Sequence, residues 1–408
     1  VIGMAGKAST LGGPIRMADY LSIGLLSRLV SPALVDEALR LHGRQSQRRR
    51  DLPAHAVAYY VMAMSLYRHV NMQEVLRIVT EGMDFLGDQA IRRNVGKSGI
   101  SAARTRLGSD VMATLAAQCL QPQAQPTQTH AFFRNWRLVS LDGSTMEVAD
   151  QPANRQAFGA PGTQQGRTGY PQLRFTALLE FGTQCLFGVT LGGYADSEHS
   201  LARQSLSALR PGMLCVADRG FSGFPMWQAA CETGADLLWR IPHNRKLPVI
   251  EKLADGSYLS QMKPAPATKA KMGDASIEAL TVRVIDYRLP EAKDAEPIYR
   301  LITTILDPDA ASAEELAVLY QTRWRIETAF AEIKTTLKGA DVVLRSLTPE
   351  LVRQEFWGLL LAHHAIRRLM LEAALARDVP PDRQSFQHTV SIVRRKLPAS
   401  GAVPPSAV

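Results

Sequence analysis

The chain has 408 residues, enough for two or three domains, and its 46% apolar and 7% aromatic content is ordinary for a globular protein. A formal charge of +9 favours a polyanionic partner. The longest uncharged apolar run, AVAYYVMAMSLY at 56–67, is too short to span a bilayer, and four scattered cysteines without a CxxC pair argue against a disulfide framework and a thiolate zinc site.

Residues 1–20 read as irregular, without a basic-then-apolar leader pattern. From about 20 to 120 the apolar spacing is helical almost throughout: SPALVDEALRLHG with Ser31 as N-cap, then 53–70, then NMQEVLRIVTEGMDFL. KSGISAARTRLG (97–108) is expected as a short helix capped by Ser98, with Ala102 and Ala103 on one side and Arg104 and Arg106 on the other. Two readings stay open for it: a DNA-contacting helix of a helix-turn-helix, or a basic surface helix in a bundle. Positive charge gathers at Arg40, Arg44, Arg48, Arg49 and Arg50, at Arg92, Arg93, Lys97, Arg104 and Arg106, and at Arg394, Arg395 and Lys396.

QPQAQPTQTH (121–130) has two prolines and no apolar period, which predicts a linker. The period then becomes that of strands in WRLVSLDGS, LRFTALLEF and CLFGVTLGG. A helix around SEHSLARQSLSAL, the buried run MLCVAD, a second helix and ADLLWRI follow, an order that predicts an α/β sandwich. Residues 242–297, rich in Lys, Pro, Asp and Gly, interrupt it, with SIEALTVRVIDYRL as the clearest strand; YRLITTIL resumes the core.

The next helix contains YQTRWRIETAFAEIK (320–334). At roughly 100° per residue, Tyr320, Arg323, Glu327 and Lys334 fall within a sector of about 60°, directly beside the apolar stripe of Ile326, Phe330, Ile333 and Leu337. Asp142 and Asp218 each follow an apolar strand, at the strand ends where α/β sheets place ligands. Three converging carboxylates, Asp142, Asp218 and Glu327, are what two Mg²⁺ ions require. Blander readings exist for each: a hairpin turn at Asp142-Gly143, a turn-capping Asp218, and a Glu327–Arg323 ion pair four residues apart.

Together these residues resemble the DDE transposases of bacterial insertion sequences, in particular the family named after insertion sequence four. The Tyr-x2-Arg-x3-Glu-x6-Lys signature of that family fits Tyr320, Arg323, Glu327 and Lys334 without a gap. LDGSTMEVADQPANRQAFGAPG (141–162) and ADRGF (217–221) resemble its two aspartate segments, and 26–86 its N-terminal domain. The resemblance implies an α/β ribonuclease-H-like core with a mostly β insertion, preceded by an all-α domain. The expected bounds are a helical DNA-binding domain at 20–120, a core at 131–241 and 298–375, the insertion at 242–297, and a tail at 376–408.

It further implies cut-and-paste transposition by metal-dependent strand cleavage and strand transfer at inverted-repeat ends. Asp142, Asp218 and Glu327 would hold two Mg²⁺ ions, with Mn²⁺ able to substitute. Tyr320, Arg323 and Lys334 would hold phosphates at the element's end. A base flipped at a hairpin end would stack on Trp239 or Tyr299, unless both are core aromatics. The implied partners are double-stranded DNA, as element ends and target, and a second copy of the chain in a synaptic homodimer. The implied setting is the bacterial cytoplasm and nucleoid, with no membrane. Two alternatives stay open: a DNA-binding repressor without catalysis, and a nuclease of the same fold without strand transfer.

Overall fold

The computed structural model describes residues 17–46, 51–85, 95–162, 169–272, 278–288, 298–339 and 342–394. Arg48, Arg49, Arg50, Arg92, Arg93, Arg395 and Lys396 of the basic clusters lie outside the described residues. Helices come first: α1 (Met17–Leu29), α2 (Pro32–Leu41), α3 (Ala54–Leu66), α4 (Met72–Phe85), α5 (Lys97–Leu107) and α6 (Ser109–Cys119). Then come β1 (Phe132–Phe133), β2 (Trp136–Glu147), α7 (Pro152–Phe158), β3 (Gln172–Glu180), β4 (Leu186–Gly193) and α8 (Glu198–Ser205). β5 (Met213–Ala217), α9 (Phe224–Cys231), β6 (Asp236–Ile241), β7 (Glu251–Lys252), β8 (Tyr258–Met262), α10 (Pro266–Met272), β9 (Leu280–Tyr287) and β10 (Tyr299–Thr303) follow. The described chain ends with α11 (Ala313–Tyr320), α12 (Arg325–Ala331), α13 (Pro349–Leu375) and α14 (Phe386–Arg394).

Two compact units divide the chain, one of residues 1–120, 147–157 and 331–408, the other of 121–146 and 158–330. This division differs from the expected bounds, because residues 331–375 group with the N-terminal helices.

In the first unit α3 is apolar on every side, so it must be enclosed; Ala56 to Leu66 are buried without exception. α13 packs on both α3 and α6. A Cβ on Gly358 of α13 would stand 2.8 Å from the Val61 carbonyl of α3, so the two helix backbones approach as only glycine permits. Ser31 caps α2 as expected, accepting from the Leu34 amide at 3.3 Å. α5 starts one residue earlier than its expected cap: Gly96, not Ser98, is its N-cap. The expected tail at 376–408 includes α14, whose Phe386, Val390 and Val393 are buried; their spacing of three and four residues gives the helix one apolar face.

The second unit holds a ten-stranded sheet in the order β4-β3-β2-β5-β6-β10-β9-β8-β7, with β1 on β2. β2, β5 and β6 are parallel, while β3 and β4 are antiparallel to each other. The order β4-β3-β2-β5-β6 is that of a ribonuclease-H-like core, the expected fold class. β10 joins β6 antiparallel, and β9, β8 and β7 continue the sheet outward.

Alternation along the central strands feeds two cores. Val139, Cys215, Leu237 and Trp239 face one, covered by Ala202 and Leu206 beside α8 and by Phe224 and Trp227 of α9. Leu138, Leu214, Val216 and Leu238 face the other, covered by Leu316 and Tyr320 of α11. The expected linker is tied down at one point: buried Glu180 accepts the amides of Gln123 (2.7 Å) and Ala124 (2.9 Å), and pairs with Arg137.

Candidate active site

β2 and β5 run parallel with Leu141 opposite Ala217, so the next residues, Asp142 and Asp218, stand side by side where the pairing of the two strands ends. β2 continues unbroken to Glu147, which removes the hairpin-turn reading of Asp142-Gly143. Asp142 Oδ1 accepts the Gly143 amide at 2.8 Å. Asp218 caps the short 3-10 turn Arg219–Phe221 by accepting the Gly220 amide, so its capping role is real and leaves its second oxygen outside that turn.

Glu327 reaches the same region from α12, which Phe330 anchors edge-on to Phe175 of β3, ring centroids 5.2 Å apart. Between the carboxylates stands Arg323. Its guanidinium donates to Glu327 Oε1 at 2.7 Å and lies 3.6 Å from Asp142 Oδ2. The side chain of Glu327 is 58% exposed and that of Asp142 only 21%, so one carboxylate faces solvent and the other is largely enclosed.

Enclosure dominates the Asp142 carboxyl and pushes its pKa up to about 6. The Gly143 amide and Arg323 oppose the rise, whereas the charges of Asp218 and Glu198 add to it. Tyr320 is buried, and burial raises its phenol well above the ordinary value, with Arg323 acting against the rise and Asp218 adding to it.

The segment bearing this cluster is not one regular helix. α11 gives way to a 3-10 turn (Gln321–Trp324), then α12, then a π-helical turn (Glu332–Leu337). Thr322 donates to the Leu319 carbonyl (2.7 Å) and Thr335 to the Ala331 carbonyl (2.5 Å), side-chain bonds that loosen the ladder where its period changes. Lys334 lies in the π turn, where the period departs from a uniform 100° step, and groups with the helical unit. Tyr320, Arg323 and Glu327 precede the π turn, and their grouping survives.

Two expected DNA contacts are corrected. Arg104 is 3% exposed: it donates to Gln354 (2.8 Å), Ser346 (3.0 Å) and the Leu351 carbonyl (3.1 Å), so it binds α13 within its own unit. Trp239 is fully buried, edge-on to Trp227 at 5.2 Å, because β6 is an inner strand covered on both faces. Arg106 is exposed, and Tyr299 is half-buried, stacked on Tyr287 with Arg240 4.6 Å above its ring.

Sequence reasoning passed over two residues. Trp324, beside Arg323, is 58% exposed, and an aromatic left in water next to charged groups was signal enough. Glu198 lies against Gly143, yet in sequence it is an unremarkable acidic residue in a first helical turn.

The donor set suits a hard divalent cation, since all three side chains offer carboxylate oxygen. Among the described residues no three ligating side chains are drawn together closely enough to share an ion. Arg323 supplies the positive charge between Asp142 and Glu327, the role a cation would take.

Two family models match the chain. The transposase DDE domain matches residues 137–364, and the insertion element 4 transposase N-terminal domain matches 20–117. The chain is 26% identical over 402 residues to the transposase InsG for insertion sequence element IS4 of Escherichia coli (strain K12), covering 97% of this chain and 86% of that one. It is 23% identical over 210 residues to the putative transposase InsZ of the same organism, 51% of this chain and 67% of that one. Among solved structures it is similar to the piggyBac transposase synaptic complex with hairpin DNA, with a TM-score of 0.47 and 9% identity over 93% of this chain and 80% of that one.

Proposed function

The chain belongs to the transposase DDE family, and from that premise we propose how its residues divide the work of cutting and joining DNA. The observation that carries the proposal is that Asp142 and Asp218 stand side by side just past the last paired residues of β2 and β5, with Glu327 joined to Asp142 through Arg323.

Asp142, Asp218 and Glu327 would hold two Mg²⁺ ions, for which Mn²⁺ would substitute. When bound, the ions supply the charge that activates the attacking oxygen and stabilises the leaving one. Arg323 changes partner: once its carboxylates are otherwise neutralised, its planar fork is free to take a phosphate of the element's end in two parallel hydrogen bonds. Tyr320 forms the wall behind it, and Lys334 adds a further phosphate contact. Water opens the phosphodiester at the end of the element, and the freed 3′-hydroxyl attacks the opposite strand or the target. Positioning and charge do most of this, because phosphoryl transfer asks for little covalent chemistry from protein.

The N-terminal helices bind the element's end with Arg106, not Arg104, at the phosphates. Residues 242–297, which carry β7 to β9 and α10, are the insertion of the family, with exposed Trp324 as the aromatic surface open to an unstacked base; Tyr299 could take one only by giving up its stacking on Tyr287. Two copies act together on paired ends in the bacterial cytoplasm. Among the described residues no helix is long and apolar enough to cross a membrane.

The test is a labelled duplex carrying the element's own inverted-repeat end, incubated with purified protein in Mg²⁺ and in EDTA. Metal-dependent nicking at the end, lost in Asp142→Ala, is expected, and a fast-migrating product would mark a hairpin pathway. Specific binding with no cleavage under any divalent cation would leave only a repressor.

A further inference from the structure

Glu198 opens α8 in a rigid setting. Asp196 Oδ2 accepts the Gly193 amide at 2.7 Å, and Ser197 Oγ accepts the Ser200 amide at 3.1 Å, so the turn entering the helix is fixed on both sides. Held there, the Glu198 side chain extends over Gly143 of β2. A Cβ on residue 143 would stand 3.0 Å from Glu198 Cγ and collide with Oε1. The glycine after Asp142 therefore leaves the space that this carboxylate fills.

The side chain is half-buried and has no hydrogen-bond or ion-pair partner among the described residues. The three expected carboxylates are differently placed. Asp142 and Glu327 both face Arg323, and Asp218 is bonded to the Gly220 amide. The charge of Glu198 acts on Asp142 in the same sense as that of Asp218, opposing its ionisation. Asp218 and Glu198 each disfavour a charge on Asp142, a burden that a bound cation would relieve.

We propose that Glu198 is a fourth carboxylate of the active site, an oxygen donor toward the divalent cation at Asp142, held in reach by Gly143. The inference rests on the metal-dependent reading given above. It assigns the glycine a purpose as well: any side chain at 143 would push the fourth donor aside.

The test is titration of the full chain with Mn²⁺ alone, followed by calorimetry and by electron paramagnetic resonance of the free ion. Glu198→Gln should weaken Mn²⁺ binding about 10- to 100-fold, the cost typical of losing a partner close to a metal. Gly143→Ala should weaken it in the same direction. Glu198→Asp, which keeps the charge but retracts it by one methylene, should fall between, and it serves also if Glu198→Gln fails to fold. Asp142→Asn separates the two readings. If it loses Mn²⁺ while Glu198→Gln binds as the wild type does, Glu198 is no donor and the metal site stands without it. If both variants bind normally, or the wild type takes up no Mn²⁺, the metal reading fails and this assignment with it.

Discussion

The guanidinium of Arg323 lies 3.6 Å from the carboxylate of Asp142, a residue 181 positions earlier in the chain. The same guanidinium holds Glu327 at 2.7 Å, one helical turn away. One cation thus ties a strand end to a helix within the unit that carries both, and its replacement can be read in cleavage.

Arg323→Ala should slow single-turnover end cleavage by about 10²-fold or more, the typical cost of removing one preorganised donor from a transition state. Arg323→Lys keeps the charge but loses the planar fork, so it should recover only part of that rate. Gel analysis of cleavage at saturating protein measures both, and wild-type rates in Arg323→Lys would remove the two-point phosphate contact. Glu327→Ala should abolish cleavage while leaving end binding within a few-fold.

Asp142 ties stability to pH. Its carboxyl titrates at about 6 in the fold, above the ordinary value near 3.8 because the side chain is enclosed. A folded pKa above the unfolded one means that the charged form burdens the native state. The group costs nothing below about pH 4, where it is protonated in both states, and the cost develops as pH rises through 6. Asp142→Asn should therefore raise stability at pH 7.5, by on the order of 1–3 kcal/mol, and lose that advantage at pH 4. Urea unfolding at the two pH values decides it, and an Asn variant less stable than wild type at pH 7.5 would refute the argument.

The two arginines of α5 should separate cleanly. Arg104→Ala removes hydrogen bonds to Gln354, Ser346 and the Leu351 carbonyl, leaving buried groups unpaired at a cost of about 1–3 kcal/mol. Arg106→Ala should leave the melting temperature within a degree or two of wild type by the ordinary tolerance of surface sites, but reduce the salt slope of DNA binding by about 1. Thermal unfolding and binding isotherms over a range of salt distinguish them.

Gly358→Ala places a methyl group where the Val61 carbonyl and side chain both stand at 2.8 Å. Backbone cannot yield as a flexible side chain does, so a loss of about 1–3 kcal/mol is expected. Calorimetry of the variant gives the answer directly, and an unchanged melting temperature would mean that α3 and α13 do not approach so closely.

Much of the site was legible because its chemistry is carried by short spacings. Asp142 and Asp218 each end an apolar run, and once parallel strands are inferred the two must lie together. What failed depended on the identity of a covering partner. Arg104 and Arg106 look alike in sequence, two residues apart, and only packing against α13 decides which is buried. Trp239 stands in a strand whose neighbour β10 is supplied more than fifty residues later, so its burial has no local signature. The π turn at Glu332–Leu337 has no period of its own in the sequence, so a uniform helical step does not carry through to Lys334.

The helical unit is assembled from both ends of the chain, with α3 packed against α13. During synthesis the apolar surface of α3 therefore waits for residues made some three hundred positions later, after the whole sheet-bearing unit has left the ribosome. A product stopped anywhere before residue 349 lacks the helix that covers α3 and has no route to a closed helical core. Truncated chains of this kind should be cleared by proteases, so the interleaved layout couples the survival of the N-terminal helices to completion of the chain through Glu327, which precedes α13.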